Sequence, residues 1–180
     1  HTWYAITKSD PITYKVTYEK NGVGVDKIGS TTDSCTIPTT YNGKKQDDTC
    51  DVTLPEITTK EGFTKIGWNE DKTSHTGSKI GEKYPIGKDT ILYAISRKDA
   101  ITLNAKFVKN GLGVTAIGKT SDSCILEAVY NNEEQATTCH IDLPTIEVEG
   151  LWKVLGWSED KATHSDYTRI DDGITLSKLE

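Results

Sequence analysis

The residues best suited to covalent chemistry in this sequence are four cysteines in two equivalent pairs, Cys35 with Cys50 and Cys124 with Cys139, each pair 15 positions apart. An even number at a repeated spacing favours disulfides over a metal site. A zinc site would be expected to contain a CxxC pair or recurring histidines. Neither pair has the first, and His140, the one neighbouring histidine, is matched by Asp51 beside the other pair. Four cysteines allow three connectivities. Bridging within each pair follows if the segment it flanks is strand-turn-strand, with the two thiols facing each other across a hairpin. Closing such a loop stabilises by about 3 kcal/mol and implies an oxidising, extracytoplasmic setting.

A second constellation pairs acid with imidazole: Glu70-Asp71-Lys72 with His75, matched by Glu159-Asp160-Lys161 with His164. Carboxylate and histidine can pass protons or hold a metal, but nothing here supplies a nucleophile, so the segment reads as a polar turn. Asp47-Asp48 and Asp171-Asp172 lack the alternating oxygen ligands of a calcium loop. Gly22-Val23-Gly24 lacks the third glycine and the strand-to-helix context of a phosphate-binding loop. The sequence thus offers no catalytic residue, metal site or cofactor site. Aromatic faces are the remaining candidates. Trp68 and Trp157, each closing a Gly-Trp pair, could stack on a sugar or anchor an interface, but a lone tryptophan ending an alternating strand more often plugs a small core. Trp3 is expected to be more exposed, and Trp152 stands where the first pattern has Phe63.

These residues recur because the chain repeats itself. A shift of 89 positions lays Lys20-Asn21-Gly22 on Lys109-Asn110-Gly111, Asp33-Ser34-Cys35 on Asp122-Ser123-Cys124, Tyr41-Asn42 on Tyr130-Asn131, Leu54-Pro55 on Leu143-Pro144 and Gly67-Trp68 on Gly156-Trp157. Trp3-Tyr4-Ala5-Ile6-Thr7-Lys8 matches Leu92-Tyr93-Ala94-Ile95-Ser96-Arg97. Residues 1–10 therefore read as the last strand of a preceding repeat, 11–98 as one module and 99–178 as a second, with Ile174–Lys178 taken as the second closing strand. The lack of methionine and the final Leu179-Glu180, which reads as a cloning remnant, lead us to expect a parent protein that extends in both directions.

The 26 threonines, with Val, Ile, Tyr and Trp, fill short alternating stretches typical of half-buried strands. Strands are expected at Trp3–Lys8, Ile12–Lys20, Cys35–Tyr41, Cys50–Leu54, Phe63–Trp68 and Thr90–Arg97, with counterparts in the second copy. Asn21-Gly22 and Asn42-Gly43 suit turns with positive backbone dihedrals. The stretch from Asn21 to Ser34 has no clear period and leaves room for one short helix. The fold class is mainly β, in two tandem small modules. With 21 basic and 27 acidic residues the net charge is −6, which disfavours nucleic acid and anionic membranes as partners. No apolar run approaches the roughly 18 to 20 residues that cross a bilayer, so no membrane insertion is expected.

An extended strand ending in Asn21-Gly22, a strand ending in Leu54-Pro55, an aromatic strand from Phe63 to Gly67-Trp68 and a closing Leu92-Tyr93-Ala94-Ile95 together resemble the Listeria-Bacteroides repeat, also called the internalin B-repeat. The resemblance implies β-grasp-like small domains arranged in tandem on secreted or cell-wall proteins of bacteria, where they act as stalks and adhesive modules. The cysteine pairs and a longer insert before the Leu-Pro strand depart from that pattern. The expected role is a non-enzymatic, extracellular repeat region of a cell-surface or cell-wall-associated adhesin, in contact with neighbouring repeats and binding a host glycoprotein or immunoglobulin. The alternative is a carbohydrate-binding accessory module of a secreted hydrolase. Candidate binding residues are Trp3, Trp68 and Trp157, together with a loop whose charge reverses between copies, Lys44-Lys45 against Glu133-Glu134.

Overall fold

The strict alternation of Ile12–Lys20 produces the longest early strand, β1, whose inward residues Val16 and Tyr18 are buried while their neighbours face water. The computed structural model describes every residue except His164, Leu179 and Glu180. It divides the chain into two compact units, His1–Asp99 with Val129–Glu134, and Ala100–Ala128 with Gln135–Glu180. The 89-residue shift does not anticipate the transfer of Val129–Glu134, because it keeps residues 99–178 together.

The first unit contains β1, β2 (Val25–Ile28), β3 (Thr32–Ile37), β4 (Cys50–Thr53), β5 (Ile57–Thr59), β6 (Phe63–Asn69), β7 (Lys83–Ile86) and β8 (Thr90–Lys98). Strand β8 is its centre. One edge runs parallel to β1 from Val16↔Thr90 to Lys20↔Ala94, and the other pairs antiparallel with β6 from Phe63↔Lys98 to Asn69↔Tyr93. Flanked on both edges and covered by the core, Leu92, Ala94 and Ile95 lose all solvent contact. Strand β3 closes the sheet beyond β1, while β2–β5 and β4–β7 form separate antiparallel ladders. Trp68 lies among Val16, Tyr18, Leu54 and Leu92, its ring meeting Tyr18 edge-on with centroids 4.9 Å apart.

The second unit contains β9 (Ile101–Lys106), β10 (Val114–Ile117), β11 (Ser121–Leu126), β13 (Thr138–Ile141), β14 (Ile146–Val148) and β15 (Ile174–Ser177); β12 (Val129–Tyr130) belongs to the first unit. Strands β9 and β11 pair from Ile101↔Leu126 to Lys106↔Ser121, the register that joins Ile12 to Ile37 in β1 and β3. Its buried core is smaller: Phe107, Ile141 and Leu143, with Ala105, Cys124, Trp157 and Leu176 packed partly exposed against them.

Several expectations are corrected. Asn21–Ser34 holds no helix but the short strand β2; the helical element among the described residues is a single 3-10 turn at Ile170–Asp172. Trp3–Lys8 forms no strand, only a bridge from Lys8 to Tyr41, and β3 ends at Ile37 rather than Tyr41. Strands β3 and β4 do not pair as a hairpin: β3 pairs with β1 and β4 with β7. The last correction matters most. Ile174–Ser177 is not the closing strand, because β15 sets Leu176 opposite Cys139 just as β7 sets Ile86 opposite Cys50. The offset arises in the preceding loop. Trp68 bridges Ser78, whereas Trp157 bridges Thr168, one position further along. Among the described residues, nothing in the second unit takes the place of β8.

Candidate interaction sites

The two cysteine pairs form disulfides, Cys35–Cys50 and Cys124–Cys139, with Cα atoms 5.8 Å and 5.9 Å apart. Each bridge ties the edge strand beside the Cys-bearing loop to a separate ladder, β3 to β4 in one unit and β11 to β13 in the other. Each therefore replaces a hydrogen-bonded seam that the topology does not supply. With both cysteines of each pair oxidised, no free thiol remains.

Both Gly-Trp pairs are built alike. The Trp68 indole N–H donates to the Pro55 carbonyl at 2.8 Å, and that of Trp157 to the Pro144 carbonyl at 2.9 Å. The preceding glycines have φ of 145° and 152°, and a Cβ there would collide with the Ser78 or Thr168 carbonyl. Only glycine lets the chain cross itself this closely and turn the indole inward. Trp68 is 0% exposed, so no ring face is left for a ligand, and Trp157 is half-buried against Phe107. Trp3 is 92% exposed and stands with Tyr4 and Ile6 on a segment that lacks strand partners before Lys8.

The reversed-charge loop differs in use as well as sign. Lys45 pairs with Asp48 at 2.8 Å on a fully solvated surface, where such a bridge contributes little. Lys44 donates its backbone amide to the Tyr41 carbonyl. Glu133, its counterpart, is held within the first unit: one carboxylate oxygen accepts from the Tyr130 amide at 2.9 Å and the other lies 2.8 Å from His75 Nε2. These hydrogen bonds, the Tyr130 amide first and His75 next, hold the pKa of Glu133 below the ordinary glutamate value. The His75 ring stacks on Tyr130 with centroids 4.1 Å apart. Glu134 is exposed and forms no ion pair among the described residues.

Asn131 fixes the same loop more deeply. Its backbone amide donates to the Ser96 carbonyl, its side-chain oxygen accepts from the Ser96 amide, and its side-chain amide donates to the Lys72 and Ser74 carbonyls. With φ of 53°, it adopts a conformation that asparagine tolerates better than most residues. The Asn42 amide makes the equivalent bond to the Thr7 carbonyl at 2.9 Å. A Tyr-Asn loop therefore docks on a Thr/Ser-Lys/Arg segment twice in the molecule. Sequence reasoning singled out His75 and Glu133 separately. Their meeting was hidden because it depends on β12 joining the free end of β8. The paired spacing Tyr41-Asn42 and Tyr130-Asn131 was the available signal.

His75 is committed to Glu133 and Tyr130, and Asp71 accepts from the Thr73 amide and hydroxyl, which lowers its pKa in turn. Among the described residues no three His, Cys, Asp or Glu side chains converge on a position that could hold a metal ion. The matching residue His164 lies outside the described residues, as does the Leu179-Glu180 remnant.

Comparison with known proteins finds a match to the family model of the Listeria-Bacteroides repeat domain over residues 14–95. Nothing matches among curated proteins, and nothing matches among solved structures. The matched span begins within β1 and ends within β8, so it takes in both of the strands that meet at the centre of the first sheet. Over residues 14–95 the chain is similar to the Listeria-Bacteroides repeat domain.

Proposed function

We propose that this chain is a non-enzymatic, extracellular repeat region of a bacterial cell-surface adhesin, a stalk of tandem β-grasp-like modules that also binds a host protein such as an immunoglobulin or other glycoprotein. The family match over residues 14–95 carries the reading. The family and the two disulfides point to an extracellular or surface protein. Repetition of the same register, disulfide span and Trp-to-Pro hydrogen bond in both units supports two modules of one kind. The Tyr-Asn loop docks in the same way twice, Asn42 on Thr7 and Asn131 on Ser96, which supports repetition of one structural element along the chain.

Binding would fall on surfaces that the modules do not use for their own packing. Trp3, Lys44, Lys45 and Glu134 are exposed and not used in packing, whereas Trp68 is internal. Trp152 rests one ring face on Gly113, as Phe63 does on Gly24, which favours a packing role over the sugar platform of an accessory module. The test is saturable binding of the oxidised chain to immobilised immunoglobulin and mucosal glycoproteins. Loss of binding on reduction and in a Lys44→Glu/Lys45→Glu variant is expected. No binding by a folded sample would leave the stalk role alone, and glycan binding lost in Trp3→Ala would favour the accessory-module reading.

A further inference from the structure

Asparagine followed by glycine is a self-reacting pair. The glycine nitrogen, unhindered by a neighbouring side chain, can attack the asparagine side-chain carbonyl carbon and close a five-membered ring. The chain holds this pair three times, at Asn21-Gly22, Asn42-Gly43 and Asn110-Gly111. Asn21 is 8% exposed, and its side-chain amide donates to the Lys72 carbonyl at 2.6 Å. Asn110 is exposed, but its side-chain amide donates to the Lys161 carbonyl at 2.8 Å. In both, that hydrogen bond must break before the ring can close.

Asn42 carries neither restraint. It is exposed, and among the described residues its side chain has no hydrogen-bond partner. The Gly43 amide, which would be the nucleophile, donates to no described residue, and a Cβ on Gly43 would meet nothing within 4 Å. The turn is closed by the Lys44 amide on the Tyr41 carbonyl at 3.2 Å, the long end of the hydrogen-bond range, so little opposes the rotation that brings the Gly43 nitrogen behind the Asn42 Cγ. The second Tyr-Asn turn supplies the contrast. Asn132 stands there in place of Gly43, and the Asn131 side chain is held by Ser96, Lys72 and Ser74.

We propose that Asn42 is a self-modification site, at which the folded chain converts asparagine to isoaspartate and aspartate with water as the co-reactant, and that the conversion releases its turn. The Gly43 nitrogen bonds to the Asn42 Cγ, its proton passes to the side-chain nitrogen, and that nitrogen leaves as ammonia. Water then opens the ring. Breaking the ring bond to the main-chain carbonyl carbon gives isoaspartate, whose chain runs through Cβ and Cγ and is longer by a methylene; breaking the bond to Cγ gives aspartate. Net, an amide and a water become a carboxylate and an ammonium, and nothing is oxidised or reduced. The new carboxylate stands beside Lys44 and Lys45. The added methylene lies between Tyr41 and Lys44, whose closing bond keeps the Asn42 amide on the Thr7 carbonyl.

This proposal does not rest on binding to a host protein. The oxidised 180-residue chain is incubated in warm, mildly alkaline buffer, and its Asn-Gly peptides are followed by mass spectrometry and with an isoaspartyl-specific methyltransferase. A reduced sample in concentrated urea gives the rate of each pair without structure, and the three are expected to react alike there. In the folded chain Asn21 and Asn110 react only through local opening, so both are expected to convert at least about tenfold more slowly than Asn42. Gly43→Asn restores the Asn-Asn of the second turn at a φ of 74° that asparagine tolerates, with open space for its side chain. It is expected to slow conversion of Asn42 at least about tenfold, because a side chain now hinders the attacking nitrogen. The isoaspartyl form, separated by anion exchange, is expected to exchange the amide of residue 42 at least about tenfold faster than the parent. Conversion of Asn21 or Asn110 as fast as Asn42 in the folded chain, or a rate at Asn42 that Gly43→Asn leaves unchanged, would overturn the site. Unchanged exchange at residue 42 in the isoaspartyl form would overturn the release of the turn.

Discussion

The two units share a register, a disulfide span and a tryptophan anchor, yet they differ in how completely they bury their apolar residues. In the first, β8 separates β1 from β6, and ten buried residues form a continuous core. In the second, no strand lies among the described residues between the equivalents of those two segments, and Phe107, Ile141 and Leu143 are the described residues buried in the cluster. Hydrophobic stabilisation scales with apolar area removed from water, at roughly 25 cal/mol per Å². The loss of one central strand therefore weakens both of its neighbours as well as removing its own side chains. The disulfide is retained in both units, so it carries a larger share of the second.

Reduction of both bridges should break this comparison most visibly. Each is expected to contribute about 3 kcal/mol. The second unit should lose its dispersed amide spectrum on reduction, while the first remains folded with a lower midpoint in a urea titration. Equal survival of both would show that the second unit does not depend on its bridge.

The paired leucines sharpen the contrast. Leu54 and Leu143 hold equivalent places before Pro55 and Pro144, with 1% and 6% exposure. Leu54→Ala should cost about 3 kcal/mol, within the range for a large-to-small change in a packed core. Leu143→Ala should cost about 1 kcal/mol less, because its thinner surroundings already admit water and can relax. Unfolding monitored by Trp68 and Trp157 in single-tryptophan backgrounds would measure both.

Tyr18 and Phe107 occupy matching positions against Trp68 and Trp157. Among the described residues the Tyr18 hydroxyl is buried without a hydrogen-bond partner, and burial first, with the nearby Asp33 carboxylate, pushes its pKa up to about 12. A raised folded-state value means that the neutral phenol is favoured by folding. This contribution is complete below the unfolded value near pH 10 and is lost as the pH rises towards about 12. Tyr18→Phe should leave stability at pH 7 unchanged or raised by up to about 1 kcal/mol, and should flatten the alkaline limb. A loss of more than that would mean that the hydroxyl has a partner.

The smallest effect concerns the docked loop. Glu133 is lowered by the Tyr130 amide and His75, so its contribution is present above the ordinary glutamate value near pH 4.3 and is lost as the pH falls through the lower folded value. Following the Asn131 amide resonance through an acid titration should show release of Val129–Glu134 in that window. Glu133→Gln should remove most of the pH dependence while leaving the Asn131 hydrogen bonds in place.

Much of this architecture can be read from the sequence, and the reasons for the exceptions are physical. β1 matches its expected span, Ile12–Lys20, because nine alternating residues with one buried face give an unambiguous period. The cysteine spacing identifies the bridges, although not the strands they join, since pairing partners are set by the sheet rather than by the loop between thiols. Strands β2, β5 and β7 run for only three or four residues, too few to establish a period, and β7 contains Pro85. Ile174–Ser177 misleads because it alternates just as Leu92–Ile95 does. Only its pairing with Cys139 distinguishes a β7 equivalent from a β8 equivalent. The docking of Val129–Glu134 requires knowledge of where β8 has a free edge, which no local pattern contains.

The absence of a β8 equivalent beside β9 is tested most directly by residue-level amide hydrogen exchange on the oxidised chain. β1 is bonded to β3 from Ile12 to Thr17 and to β8 from Val16 to Lys20, and the Tyr18 amide donates to the Thr31 carbonyl, so consecutive amides from Val16 to Tyr18 should be protected. β9 is bonded on one edge, so protection from Ile101 to Lys106 should alternate with a period of two, and Phe107 to Lys109 should be weakly protected except where Phe107 donates to Thr120. Continuous protection through Ala105–Lys109 would contradict the account, because it would require a strand beside β9 that the second unit lacks among the described residues.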